Sequence, residues 1–557
     1  MKSKKSLLAS VLILVLLLTS CSKLPNNANA AFRNFTLQLF RNDLSASTLG
    51  LHYTLQNPKA YGITETPITF GSFQTHPALA LVFYENVEAS LDKFSYSTLS
   101  RENQISYDIL SSYISTEKNG AQFCLYEEPL SPVTGIHAQL PILLSEYNLS
   151  TKEDILTYLS LLKTLPEYFS SLIQFEQAKS AAGLFMSDAV LSEVTQQCSA
   201  FLSMGDDNYL LSSFQEQLQS ISDISEEEKQ ILCSQMHSIL CQFVYPAYAD
   251  LRSALLALSG TGGNDMGLCY FPQGKEYVSY LIASETGSSR SVEEIKALME
   301  GQVAKDLLDL SSMKALPDTQ IQAAEPIQVL QELKEDISLA FPDTPAVQVE
   351  VKYVPEDLEA YLSPAFYFIP PIDNIEENTI YINQSYTLDP LYLFSTLAHE
   401  GYPGHLYQTT YFASTNPDPI RQLFSFKGYV EGWATYAEMC SYYISPLEQT
   451  AASFAQKNNS LLLGLYALAD LGIHYEGWTI DDTISFFQNY GIENHESICE
   501  IYNYILGDPI NYLAYYVGYL EILSLKADCN LSQKEFHQKF LEIGPAPFSV
   551  IRKYLLD

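Results

Sequence analysis

His399-Glu400-Gly401-Tyr402-Pro403-Gly404-His405 decides how the chain is read. It ends an apolar, helix-like stretch, Leu391 to Ala398. Imidazole is a good zinc ligand, and a carboxylate beside it can act as general base on a metal-activated water. In the H-E-x-x-H arrangement the second His lies four residues on, on the same helix face. Here that position is Pro403, and the next His is His405, six residues on. Six residues at about 100° each is about 240° round a straight helix, so a straight helix cannot aim both rings at one ion. Pro403 cannot donate to the carbonyl of residue 399, and Gly404 is free to adopt an unusual backbone. A two-residue bulge at Pro403-Gly404 is therefore expected to deliver His405.

The third ligand is sought downstream, in Glu431-Gly432-Trp433-Ala434-Thr435-Tyr436-Ala437-Glu438. Glu431 and Glu438 are seven apart and share a helix face. Glu431 is the expected ligand, because Gly432 lets a neighbouring helix approach. Glu438 is then a supporting or substrate-facing carboxylate. His399, His405 and Glu431 would hold one zinc ion and leave a position for water, although this donor set also accepts other divalent ions.

Around this centre the chain reads as mainly α. Apolar residues recur at helical spacing through 151–180, 205–258, 292–316, 386–415, 420–443, 446–475 and 511–527. Strand-like runs are few. Val347 to Val351 alternates with period two. Ala365–Ile369 and Thr379–Asn383 flank a Pro-Pro and acidic turn, and are expected to pair as a hairpin. This small sheet falls just before the helix that carries His399, and the strand at Thr379–Asn383 is expected to offer its edge to an extended peptide.

The N-terminus has a different character. Met1-Lys2-Ser3-Lys4-Lys5 is basic, Leu7 to Leu18 is almost wholly apolar, and Leu18-Thr19-Ser20-Cys21 follows. That order is a secretory signal, too short to span a bilayer comfortably. Cys21 after Thr-Ser resembles a bacterial lipobox, which implies cleavage before Cys21, lipidation there and an extracytoplasmic, membrane-anchored protein. Residues 1–20 are thus expected to be a lipoprotein signal peptide and 21–31 a lipidated tether. Residues 32–557 are expected to form one large helical domain, with a division near 260 into an N-terminal (32–260) and a catalytic (261–557) subdomain.

The formal net charge of −35 argues against nucleic acid as a partner, because such a surface repels phosphate backbones. Nine cysteines without a C-x-x-C pair argue against a thiolate zinc site. The 39 tyrosines suit either helix interfaces or a wet cleft.

Taken together, Ala398–His405 (AHEGYPGH), Glu431–Glu438 (EGWATYAE), Asp470–His474 (DLGIH) and Tyr515–Gly518 (YYVG) resemble the bacterial family called domain of unknown function 885. The family is placed with gluzincin-like metallopeptidases, and its pattern reads H-E-x-x-P-G-H-H, E-G-W-A-x-Y-x-E, D-x-G-x-H and Y-K-x-G. GKEYVSYL at 274–281 and SVEEI at 291–295 extend the resemblance over nearly all the mature chain. It implies a helical zinc-peptidase fold, His399, His405 and Glu431 as ligands, Glu400 as base, and His474 and Tyr515 as active-site residues. Each of the last two has a donor to offer an oxyanion. His474 reads equally as a core or capping residue beside Gly472. Leu406 replaces the second His of P-G-H-H, Tyr516 replaces a common Lys, and an Arg often found before the last motif has no counterpart near Asn503-Tyr504. The expected activity is zinc-dependent cleavage of peptide bonds. A zinc hydrolase of another amide or ester, or a lipoprotein that captures peptides or other solutes, are the alternatives.

Overall fold

The computed structural model describes residues 27–556 apart from residues 133, 355–358, 360, 361, 387 and 388. The expected signal peptide, residues 1–20, and Cys21 lie outside the described residues. Of the expected tether, residues 21–26 also lie outside the described residues, and the last residues are helical: Asn27 caps a helix that runs Ala28–Leu44 (α1), its side chain accepting the Asn29 N–H. Ala-rich sequence favours helix, and Phe32, Thr36, Phe40 and Leu44 follow one buried face.

Among the described residues the regular structure is helical apart from one three-stranded sheet. Seven further helices carry the argument: Val292–Ser311 (α2), Pro390–Glu400 (α3), His405–Ser414 (α4), Lys427–Ser441 (α5), Gln449–Leu471 (α6), Asn511–Asp528 (α7) and Gln533–Ile543 (α8). The strands are Gln348–Tyr353 (β1), Ala365–Phe368 (β2) and Glu377–Ile382 (β3), in the order β1-β3-β2. The hairpin forms: β2 runs antiparallel to β3, with Phe366 opposite Tyr381. Strand β1 lies parallel on the other side of β3, with Val351 opposite Ile380. The expected peptide-pairing edge at Thr379–Asn383 is therefore corrected. Its two edges are taken within the sheet, and β2 has the edge toward α3. Period-two alternation sorts the side chains. Ala365, Tyr367, Ile380 and Ile382 enter the core, while Phe366 stacks on Tyr381 with ring centroids 5.1 Å apart on the other face.

Among the described residues there are two hydrophobic cores, and, Leu49 and Phe70 apart, the chain passes between them twice, after Phe123 and between Leu255 and Tyr277. One is built mostly from residues 130–255, with Leu49 and Phe70. The other joins the helices from Phe32 to Phe123 with everything from Tyr277 onward. The first helices thus pack with the C-terminal half, and the 130–255 segment is an insertion into a core that both chain ends complete. Among the described residues no helix is long and apolar enough to cross a membrane, and the described cysteines are free thiols.

Candidate metal centre

Helix α3 starts where Asp389 accepts the N–H groups of Leu391 and Tyr392, with Pro390 in the first turn. It stops at Glu400. The backbone leaves the helical region at Gly401 (φ −107°, ψ −102°) and at Gly404 (φ −82°, ψ −132°), and α4 begins at His405. The expected distortion is present, as a complete break between two helices rather than a bulge within one. A Cβ on Gly404 would sit 1.8 Å from the carbonyl oxygen of His399, so only glycine lets the chain fold back there. The indole N–H of Trp433 donates to the Pro403 carbonyl at 2.9 Å and ties the break to α5.

The break brings the two imidazoles together. Their ring centroids are 4.8 Å apart and the planes nearly perpendicular, at 84°. Glu431 Oε2 lies 3.7 Å from His399 Nε2 and 3.3 Å from His405 Nε2. A tetrahedral ion with bonds of about 2.0–2.1 Å needs donor atoms about 3.3–3.4 Å apart, and both Glu431–imidazole separations lie close to that. His399, Glu400 and His405 also each bring one donor atom within 4.8 Å of the others. The side chains of His399, His405 and Glu431 are 12–14% exposed, which is dry enough to strengthen charge interactions yet open to solvent.

Three surrounding contacts orient these groups. Glu438 Oε2 lies 3.2 Å from His399 Nδ1, and its other oxygen accepts from Asn459 Nδ2 at 2.6 Å. Glu400 Oε2 accepts the main-chain N–H of Tyr367, on β2, at 2.8 Å. Tyr515 stacks beside His399 (centroids 6.0 Å, 16°), and its hydroxyl bonds to Glu431. Burial, then the Glu431 and Glu400 carboxylates, push the Tyr515 phenol well above its usual range, so it remains a proton donor. Burial works against a charged His399, but hydrogen bonds to Glu431 and Glu438 and the charge of Glu400 outweigh it and lift the ring to about 10. The field at this spot strongly favours a cation.

Glycines set the spacing of α5 and α7. A Cβ on Gly432 would sit 2.5 Å from Gly518 Cα, and one on Gly518 would sit 2.1 Å from the Gly428 carbonyl oxygen. The backbones touch, which brings Tyr515, one turn before Gly518, to Glu431 on α5.

His474 does not join the cluster as expected. Its Nδ1 accepts the Leu268 N–H at 3.2 Å, and its Nε2 faces the Ile505 carbonyl at 3.0 Å. A ring nitrogen against a carbonyl must donate, so the ring is the neutral Nε2–H form. Burial agrees, lowering it to about 4. With both nitrogens bound to main chain, the ring has no donor left for an oxyanion. Asp470, one turn earlier, accepts the Ile510 and Leu513 N–H groups at 3.0 and 3.4 Å and so anchors the start of α7. The DLGIH segment thus holds the elements around Tyr515. Sequence reasoning missed Asn459; its signal was the polar run Lys457-Asn458-Asn459-Ser460 inside an otherwise apolar helix.

The fold is shared with two solved bacterial structures. One is a candidate lipoprotein from Colwellia psychrerythraea, with TM-score 0.79 and 20% identity, covering 95% of this chain and 99% of that one. The other is a candidate lipoprotein of unknown function from Shewanella oneidensis, with TM-score 0.62 and 18% identity over the same shares. Among curated proteins, none matches the sequence. The family model described as bacterial protein of unknown function (DUF885) matches residues 78–344 and 308–555. With nearly all of the chain after residue 77 accounted for in this way, the protein belongs to the DUF885 family.

Proposed function

We propose that this protein is a zinc-dependent hydrolase of peptide bonds, with His399, His405 and Glu431 as ligands. The observation that carries this reading is Glu431 Oε2 at zinc-like separations from both imidazoles, with a second carboxylate, Glu400, within donor reach of the same two rings. Bound zinc supplies Lewis acidity and makes a water acidic near neutral pH.

The chain's own groups do the rest. Glu400 has one oxygen tied to Tyr367 N–H, which leaves the other to take a proton from the attacking water and return it to a leaving amine. Tyr515, kept protonated, would turn its one hydroxyl proton from Glu431, once that carboxylate holds zinc, to the oxyanion that develops on the scissile carbonyl. Glu438 accepts from His399 Nδ1–H and would so leave the Nε2 lone pair for a bound ion. Strand β2 supports a peptide as substrate. A residue's N–H and C=O share one edge of a strand, and the Tyr367 N–H meets Glu400 on the edge away from β3. An extended chain pairing along that edge passes the base.

The Cys21 lipobox is read as the membrane anchor of an extracytoplasmic protein. The description of two proteins of the same fold as candidate lipoproteins supports this.

The test is Glu400→Gln screened against a peptide library, with metal content measured. Zinc retained and turnover lost is the expected result. Full activity in the zinc-loaded variant would remove Glu400 as base. Zinc-dependent turnover of esters or non-peptide amides, with none of peptides, would replace the substrate class.

A further inference from the structure

Glu438 has two carboxylate oxygens, and the fold uses them differently. Oε2 faces His399 Nδ1 at 3.2 Å, and Oε1 receives Asn459 Nδ2 at 2.6 Å. The same amide nitrogen also lies 3.0 Å from the Tyr442 hydroxyl. Glu438 and Tyr442 are four apart at the end of α5, so they present side by side to Asn459 on α6. Asn459 is itself held from behind. The next residue, Ser460, donates to the fully buried Asp306 of α2 at 2.7 Å, and Lys457 pairs with Asp309 at 2.5 Å.

We infer that Asn459 is a positioning residue for the metal centre: its amide fixes Glu438, and through Glu438 the orientation of His399. The inference rests on the ligand set proposed above. Its logic is geometric. A carboxylate on a helix can turn about its last torsion, and only one orientation aims an oxygen at His399 Nδ1. A hydrogen bond to the other oxygen selects that orientation. An amide suits the task because it donates without adding charge, so Glu438 stays a full anion toward the ring. A lysine in its place would neutralise the carboxylate, and an aspartate would repel it. Partners of this outer kind commonly matter about 10- to 100-fold in metal affinity. One step further out, the effect of Asn459 is expected at the low end, about tenfold.

The experiment measures the zinc dissociation constant of the full chain by competition with a chromophoric chelator, alongside melting of the metal-free protein. Three variants are compared with the native chain. Asn459→Leu removes the donor. Asn459→Asp keeps the shape, places a carboxylate against Glu438, and guards against a simple failure to fold. Asn458→Leu alters the exposed neighbour and serves as control. The expected result is zinc binding weakened about tenfold by Asn459→Leu and more by Asn459→Asp, with the metal-free protein of each variant still melting cooperatively and Asn458→Leu native-like. Native affinity in Asn459→Asp overturns the inference, as does an affinity loss in Asn459→Leu matched by Asn458→Leu. A native chain that binds zinc and cleaves no peptide overturns the peptidase reading alone. A native chain that binds no zinc overturns both.

Discussion

Trp433 holds Pro403 in place from another helix: its indole N–H donates to the Pro403 carbonyl at 2.9 Å, and its ring is fully buried. The ring stacks on Phe540 of α8 with centroids 5.3 Å apart. The turn between the two imidazoles is therefore fastened to the core, and the separation of His399 and His405 is set by α5 as well as by their own segment.

Replacing Trp433 with Phe should keep most of the packing and lose the hydrogen bond. A buried carbonyl left without its donor costs about 1–3 kcal/mol. Denaturant unfolding should show that loss, and zinc affinity should fall with it. A variant as stable as the native chain would mean that the turn holds itself.

Gly432→Ala tests the contact between α5 and α7. The added methyl meets Gly518 backbone at 2.5 Å, so the helices must move apart. Overpacking of this kind costs about 1–3 kcal/mol. Separation also draws Tyr515 away from Glu431, so turnover should fall more than stability alone predicts. A variant with native melting and native kinetics would contradict the close crossing.

Tyr515→Phe should leave zinc content and KM near native and lower kcat. Loss of one oxyanion donor typically costs about 10²–10³-fold. A rise in KM alone would assign the hydroxyl to substrate binding.

His474→Gln carries a pH signature. The folded ring, lowered to about 4 by burial, stays neutral where the unfolded ring begins to charge, near 6.5. Below pH 6.5 the unfolded state binds the extra proton, so His474 withdraws stability as pH falls toward 4. The Gln variant lacks this response. Its deficit at pH 7.5, caused by lost hydrogen bonds, should shrink by about 2 kcal/mol at pH 5. Paired urea titrations at the two values measure it, and an unchanged deficit would place His474 in a wetter setting.

The local parts of the site were legible in the sequence. Pro403 at the expected ligand position and Gly404 after it announced that the helix could not run straight. The seven-residue step from Glu431 to Glu438 put both on one face, and Gly432 signalled a close neighbour. What escaped was partnership between distant segments. Nothing in the alternation of Val347–Val351 says that β1 will lie parallel beside β3, and that pairing moved the sheet's edge to β2. His474 has the same limit: an imidazole reads alike whether it serves chemistry or ties Leu268 to Ile505. The helix from Ala28 was hidden because its polar, Ala- and Asn-rich start looks like linker until Phe32 and Phe40 find a core.

The hydrogen bond from Tyr367 to Glu400 comes from main chain, and this has an evolutionary consequence. No ordinary substitution at position 367 deletes a backbone N–H; among the standard residues only proline does. The aim of the carboxylate is thus inherited through strand register rather than residue identity. The side chain at 367 answers to a different partner, its hydroxyl donating to the buried Asn378 at 2.6 Å, while an insertion or deletion between β2 and β3 that slips the register by one would silence the site with every motif still intact.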